Sequence, residues 1–431
     1  MRYVSVNGGA AVDFREAALT GLARDGGLYL PETLPILAAG NWESLIGASL
    51  TDVSFALLRE LLKGDIPAGD LRAIIADALD FPIPLVALDD ATNVLELFHG
   101  PTLAFKDVGA RFMARVFAWL QRDQAQPLTV LVATSGDTGS AVASAFSDVA
   151  GVRVVLLYPN GRISPLQERQ LTTGGPNVTA LAVDGAFDDC QRLVKEAFRD
   201  ADLRRRVALT SANSINITRL FPQAVYYAWA WTRLRDRARP LVFAVPSGNL
   251  GNLTAGLIAR RMGLPAARFI AAANANGGLT NYLAGADFTP HPALQTYSNA
   301  MDVGDPSNLA RIYALYGHDR AAVARDIVGY TISDTETLDA MRALDQSYGY
   351  TADPHTAVAY AALERYRQAT DSGFTGVMLA TAHPAKFPEV CQQALGRSVP
   401  MPERLAATLR REPRVTPLAN SYVALKDVLL A

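Results

Sequence analysis

Two textures of apolar and polar positions divide the chain. Up to about residue 90, Leu57, Leu58, Leu61 and Leu62 form one stripe, and Leu71, Ile74, Ile75 and Leu79 form another. Recurrence at three and four residues predicts amphipathic helices. The segment Phe81-Pro82-Ile83-Pro84 then stops the pattern, because proline removes a backbone donor and turns the residue before it away from helix. From Val94 onward short apolar runs alternate with helical patterns. The runs at 94–98, 129–133, 152–158, 178–183, 241–245, 269–273 and 377–380 read as strands. Val108, Phe112, Val116 and Leu120 fall on one face of a helix that begins beside Lys106, and further helices are predicted over 165–171 and 188–199. Strands that alternate with helices imply an α/β fold with mainly parallel sheets covered on both faces. The predicted organisation is a mostly helical region over residues 1–90, followed by a strand-and-helix region over 91–431.

Composition narrows the function classes. At 431 residues the chain exceeds what one core usually takes, and half of its residues are apolar, so two or three well-packed domains are expected. Forty basic and forty-two acidic side chains nearly cancel, which leaves no electrostatic footprint for nucleic acid or an anionic membrane surface. No stretch approaches the ~20 apolar residues that span a bilayer. The N-terminus has neither a secretory nor a transit pattern. Cys190 and Cys391 are far apart in sequence and belong to no metal-type cluster. A soluble protein of the reducing cytoplasm, without metal, is expected; nothing in the sequence specifies an oligomeric state.

The stretch His99-Gly100-Pro101-Thr102-Leu103-Ala104-Phe105-Lys106-Asp107 carries the first candidate chemistry. A lysine between an aromatic residue and an aspartate, where a rigid loop gives way to a helix, is placed to hold an aldehyde as a Schiff base once desolvation keeps part of its amine neutral. The alternative for Lys106 is a surface charge; on either reading Asp107 is expected to be the N-cap of the helix. Four further loops have strand-to-helix context, where open α/β sheets bind ligands. Thr134, Ser135, Gly136, Asp137, Thr138 and Gly139 combine small residues with hydroxyls, suiting either an anion or a well-capped helix start. Ser247, Gly248, Asn249, Leu250, Gly251 and Asn252 read as a phosphate cradle. That loop has neither dinucleotide nor Walker spacing, so a phosphate-bearing ligand other than a nucleotide is indicated. Residues 211–219 collect Asn213, Ser214, Asn216 and Arg219, which bind polar substrates or satisfy buried backbone. In the loop 380–387, Thr381 is the better ligand candidate and His383 the more structural residue.

Taken together, 99–107, 134–139, Ile163-Ser164-Pro165-Leu166-Gln167, 211–217, 247–252, Ser298-Asn299-Ala300-Met301-Asp302, 353–360, 381–387 and the Gly27-Leu28 region resemble the threonine synthase family, in the family's order and over nearly the whole chain. That family belongs to the fold type II pyridoxal 5′-phosphate enzymes, related to the tryptophan synthase β subunit. The resemblance implies two parallel-sheet α/β domains with the cofactor between them, and conversion of O-phospho-L-homoserine and water to L-threonine and phosphate. It implies Lys106 as the Schiff-base lysine and first base. Gly248, Asn249, Leu250, Gly251 and Asn252 would surround the cofactor phosphate, and Thr381 would face the pyridine nitrogen. Two cradle positions depart from the family pattern: Leu250 stands where phenylalanine is usual, and Asn252 where aspartate is common. For the substrate, Ser135, Gly136, Asp137, Thr138 and Gly139 are assigned to the α-carboxylate. Arg162, Asn213, Ser214 and Arg219 are assigned to the phosphate, with Arg111 and Lys386 in reserve. A dehydratase or phospho-amino-acid lyase of the same fold, and a binding protein without turnover, are the competing readings.

Overall fold

The computed structural model describes residues 1–134, 136–370 and 373–431. Its larger sheet has the spatial order Ile327–Thr331, Arg268–Ala273, Leu241–Pro246, Thr375–Ala380, Thr92–Glu96, Leu85–Ala87. All neighbours are parallel except the last pair, which is antiparallel. A second, wholly parallel sheet runs Thr416–Leu418, Val178–Val183, Val152–Pro159, Leu128–Ala133, Ala208–Thr210. Leu128–Ala133, Leu241–Pro246 and Thr375–Ala380 are buried along their whole length. Helices cover both faces, so these strands are continuous apolar runs rather than alternating ones.

Between the sheets lies the helix Ile217–Arg233, buried on nearly every side despite Pro222 in its interior. It packs on the helices Leu50–Leu61, Lys106–Gln121 and Gly251–Arg261. Gly109 lets the backbones of two of these helices approach closely: a Cβ there would stand 2.8 Å from the carbonyl oxygen of Arg219. The helix Lys106–Gln121 buries Val108, Phe112, Val116 and Leu120, the stripe predicted from four-residue spacing.

Short strands escape the periodicity. Tyr3–Ser5 and Tyr29–Pro31 form an antiparallel pair inside the region expected to be mostly helical, and Leu85–Ala87 joins the larger sheet before residue 91. Ile327–Thr331, Ala208–Thr210 and Thr416–Leu418 are likewise absent from the sequence reading. Most of these segments are three residues long, too short to display alternation. No helix among the described residues is long and apolar enough to cross a membrane. Cys190 and Cys391 are buried free thiols.

Arg311 links the N-terminal strand pair to the sheet-end loops. It is fully buried. Nε donates to Tyr29 O at 3.0 Å, Nη1 to Ser214 O at 3.0 Å and Asn308 Oδ1 at 2.8 Å, and Nη2 to Ile215 O at 2.6 Å. Burial pulls its pKa down to about 9, so it remains a cation at neutral pH. Arg311→Met strands these acceptors in the interior, and roughly 3 kcal/mol of stability should be lost. The expected result is a lower urea midpoint with an unchanged denaturant slope; a wild-type midpoint would contradict it.

Candidate active site

Five loops leave the carboxyl ends of strands in the two sheets and converge. The loop after Thr92–Glu96 passes through Leu103 in the left-handed region, at φ 58°, and enters the helix at Lys106. Phe105 N donates to Thr381 O at 2.8 Å, and His383 N donates to Leu103 O at 3.1 Å. The base of this loop is thereby fastened to the segment after Thr375–Ala380. Lys106 Nζ lies 3.7 Å from Asp137 Oδ2, at the first residue of the helix Asp137–Phe146, and 5.1 Å from the Phe105 ring centroid. Burial pulls the Lys106 amine below the ordinary lysine value; Asp137 opposes this, and the cations of Lys386 and Arg219 reinforce it. The surface-charge alternative for Lys106 is therefore overturned: its side chain is only 15% exposed.

Lys386 was expected in reserve for the substrate phosphate. Its Nζ instead lies 2.6 Å from Asp137 Oδ1 and donates to Thr102 O at 3.0 Å. Burial pushes the Asp137 carboxyl up, but Lys386 and Lys106 outweigh it and leave the carboxyl well below the ordinary range. Asp107 also needs correction, because it does not cap its helix. Phe105 occupies the N-cap position, and Asp107 turns back to accept from Thr102 N at 2.8 Å and Thr102 Oγ1 at 2.7 Å. An N-cap side chain must precede the amides it accepts from, whereas this carboxylate closes the loop behind it. Burial pushes its pKa up to about 6.

The cradle forms where Leu250 adopts φ 60°, the left-handed region, and redirects the chain into the helix Gly251–Arg261. The backbone N–H groups of Gly248, Asn249, Leu250, Gly251 and Asn252 donate to no protein acceptor among the described residues. Such a run of free amides at a helix start attracts an anion. Asn249 is braced from both sides: its Nδ2 donates to Ser214 Oγ at 2.7 Å, and its Oδ1 accepts from Ser307 N at 2.6 Å. Asn252 Oδ1 accepts from the hydroxyls of Tyr226 and Tyr227 at 2.6 and 2.7 Å. The neutral amide thus satisfies two phenol donors that an aspartate would also accept.

Ser135 lies outside the described residues. In the rest of its loop, Thr134 Oγ1 accepts from Gly136 N at 3.2 Å and Gly139 N at 2.9 Å, so those two amides are already engaged. The amides of Asp137 and Thr138 have no partner among the described residues. Asn213 and Ser214 are half-buried and Arg219 is buried. Ser214 Oγ accepts from Asn249, as described, which joins this loop to the cradle. The guanidinium of Arg219 donates through Nη1 to Ala212 O and leaves Nε without a partner; burial pulls its pKa down to about 10. Arg162 is exposed and pairs with no carboxylate among the described residues. Arg111 belongs to the scaffold, with Nε on Ala78 O at 2.7 Å and a guanidinium nitrogen 2.7 Å from Asp80. Thr381 is buried, and its hydroxyl makes no protein hydrogen bond among the described residues. His383 caps the short helix Pro384–Lys386 through Nδ1, the structural role anticipated for it.

The segment 298–302 contains a buried network that residue types alone do not reveal. Asp302 accepts from Asn274, Thr296 and Asn276. His355 Nδ1 lies 2.8 Å from Asp353 Oδ1, and its Nε2 accepts from Ala300 N at 3.2 Å. Met301 in turn abuts Gly248, where a Cβ would stand 2.7 Å from Met301 Cα. The Asp353–His355 pair thereby backs the cradle from behind.

A family described as pyridoxal-phosphate dependent enzyme matches residues 83–381; threonine synthase N-terminal and C-terminal families match residues 2–79 and 356–429. A threonine synthase of Haemophilus influenzae is 45% identical over 395 residues, 91% of each chain. The crystal structure of threonine synthase from Escherichia coli superposes with a TM-score of 0.92 at 40% identity, covering 100% of this chain and 99% of that one. A pyridoxal-phosphate-bound threonine synthase from Brucella melitensis gives 0.93 at 36% identity, again covering 100% and 99%.

Gly248→Ala would drive a methyl into Met301 and force the 298–302 segment off the cradle. A loss of about 1–3 kcal/mol is expected for such overpacking, accompanied by faster amide hydrogen exchange at Ala300. Wild-type stability and exchange would contradict the close approach.

Proposed function

The chain belongs to the threonine synthase family of pyridoxal-phosphate-dependent enzymes, and from that premise we propose that it converts O-phospho-L-homoserine and water to L-threonine and phosphate, with Lys106 as the lysine that carries the cofactor. The observation that carries the reading is the largely buried Lys106 amine beside Asp137, at the head of a helix whose first two amides have no partner among the described residues. The free amides of residues 248–252 fit the cofactor phosphate, and the Thr381 hydroxyl would hold the pyridine nitrogen. Pyridoxal phosphate, when bound, supplies an electron sink for the bonds at the substrate Cα.

The protein's own groups do the rest. Lys106 Nζ, when neutral, takes the Cα proton, because it is held in place and partly desolvated. The amides of Asp137 and Thr138, without a partner among the described residues, receive the α-carboxylate. Arg219, with Asn213 and Ser214, receives the phosphate that leaves Cγ, and Arg162 is the outer member of this set. Around the site the cations of Lys106, Lys386 and Arg219 outnumber the carboxylates of Asp107 and Asp137, an excess of positive charge that suits a substrate with two anionic ends. The hydroxyl of Thr381 is neutral, so it would leave less positive charge on a pyridine nitrogen held there than an aspartate would.

Lys106→Ala should lower threonine formation from phosphohomoserine by roughly a thousandfold or more, and equal activity in the variant would overturn the assignment. Ammonia release in place of threonine would indicate the dehydratase chemistry. Arg219→Ala should raise the KM for phosphohomoserine on the order of tenfold; an unchanged KM would remove Arg219 from the phosphate site.

A further inference from the structure

Two lysine amines share one carboxylate. Asp137 follows a strand of the smaller sheet, whereas Lys106 and Lys386 follow neighbouring strands of the larger one. The Lys386 side chain is 1% exposed and that of Asp137 is 4% exposed. With its ammonium on Asp137 Oδ1 and Thr102 O, Lys386 is anchored and presents charge without mobility. Asp137 therefore keeps a counter-ion even when the Lys106 nitrogen has no proton. Without Lys386, loss of that proton would leave a carboxylate buried and uncompensated, a costly state.

We propose that Lys386 is a positioning residue that acts as the standing counter-ion of Asp137, so that the Lys106 nitrogen is free to give up its proton. This rests on Lys106 being the cofactor lysine. Three other charged or titratable groups stand near the cluster. Arg219, from the helix Ile217–Arg233, adds a second cation near Lys106. Asp107, on the helix of Lys106, is turned away onto Thr102. His355, from the helix Pro354–Ala369, acts on Asp137 while its Nδ1 is held by Asp353. Among the described residues Arg219 engages Ala212 O and no carboxylate, so it does not replace Lys386 at Asp137. Among the described residues, Lys386 is thus the one cation besides Lys106 in direct contact with Asp137.

The test is a pH titration of the visible band of the lysine-linked cofactor in holoenzyme, which reports the proton affinity of the Lys106 nitrogen without turnover. In Lys386→Met that affinity should rise about tenfold or more, one pKa unit, because Asp137 then acts on Lys106 alone. Lys386→Arg should stay within about threefold of wild type, and Asp137→Asn should lower the affinity by about tenfold. If Lys386→Met does not fold, the polar but uncharged Lys386→Gln takes its place and should show the same rise, a wild-type titration there overturning the proposal. A wild-type titration in Lys386→Met, or in Asp137→Asn, overturns the proposal. Absence of a borohydride-reducible link at Lys106 in the wild type would instead overturn the assignment of the cofactor lysine, so the two failures are distinguishable.

Discussion

The backbone bond from Phe105 N to Thr381 O holds the site together. It fastens the loop that ends in Lys106 to the segment that follows the neighbouring strand. With it come the His383 N to Leu103 O bond and the Lys386 contact to Thr102 O. Strands of a parallel sheet end side by side, so loops that leave their carboxyl ends are neighbours whatever their separation in sequence. The pairing of Thr92–Glu96 with Thr375–Ala380 thus brings Lys106 and Lys386 to one carboxylate across 280 residues of chain. The left-handed turn at Leu103 and the carboxylate of Asp107 then fix the direction in which the loop enters its helix.

Charge in this site is buried, and burial makes each partner matter. A surface lysine keeps its ordinary proton affinity because water screens its neighbours. Lys106 does not, since desolvation disfavours its ammonium while Asp137 favours it. Asp107 and Asp137 are separated by the same logic in opposite directions. Burial raises the first against its Thr102 donors and the more distant cations of Lys386 and Arg111, whereas the second has two ammonium groups in reach and is lowered.

Much of this architecture is legible in the sequence. Long strands buried on both faces appear as apolar runs, and the four-residue spacing of Val108, Phe112, Val116 and Leu120 places the helix that starts at Lys106. The strand-end loops are marked by small and hydroxylated residues. What is not legible has physical causes. Three-residue strands such as Tyr3–Ser5 carry no periodicity. Partners distant in sequence leave no local trace: Arg311 looks like any arginine in a helix, yet it binds the carbonyls of Tyr29 and Ser214. Asp107 sits where a cap is expected, and only its contact with Thr102 shows that it points the other way. The lysine in 381–387 is visible, but its attachment to Asp137 depends on how the two sheets meet.

The position of Thr375–Ala380 in the larger sheet bears on how the chain is made. This strand lies between Thr92–Glu96 and Leu241–Pro246 and pairs with both. During synthesis from the N-terminus, those two strands emerge long before the one that joins them, and each presents an unpaired edge until residue 380 has left the ribosome. Open parallel edges form late and invite pairing with other chains. The smaller sheet, by contrast, takes its four inner-to-edge strands from 128–210 and can assemble first, with only Thr416–Leu418 added at the end. A nascent chain of this protein therefore carries a half-built larger sheet for most of its translation, and this interval is when it has most need of a chaperone.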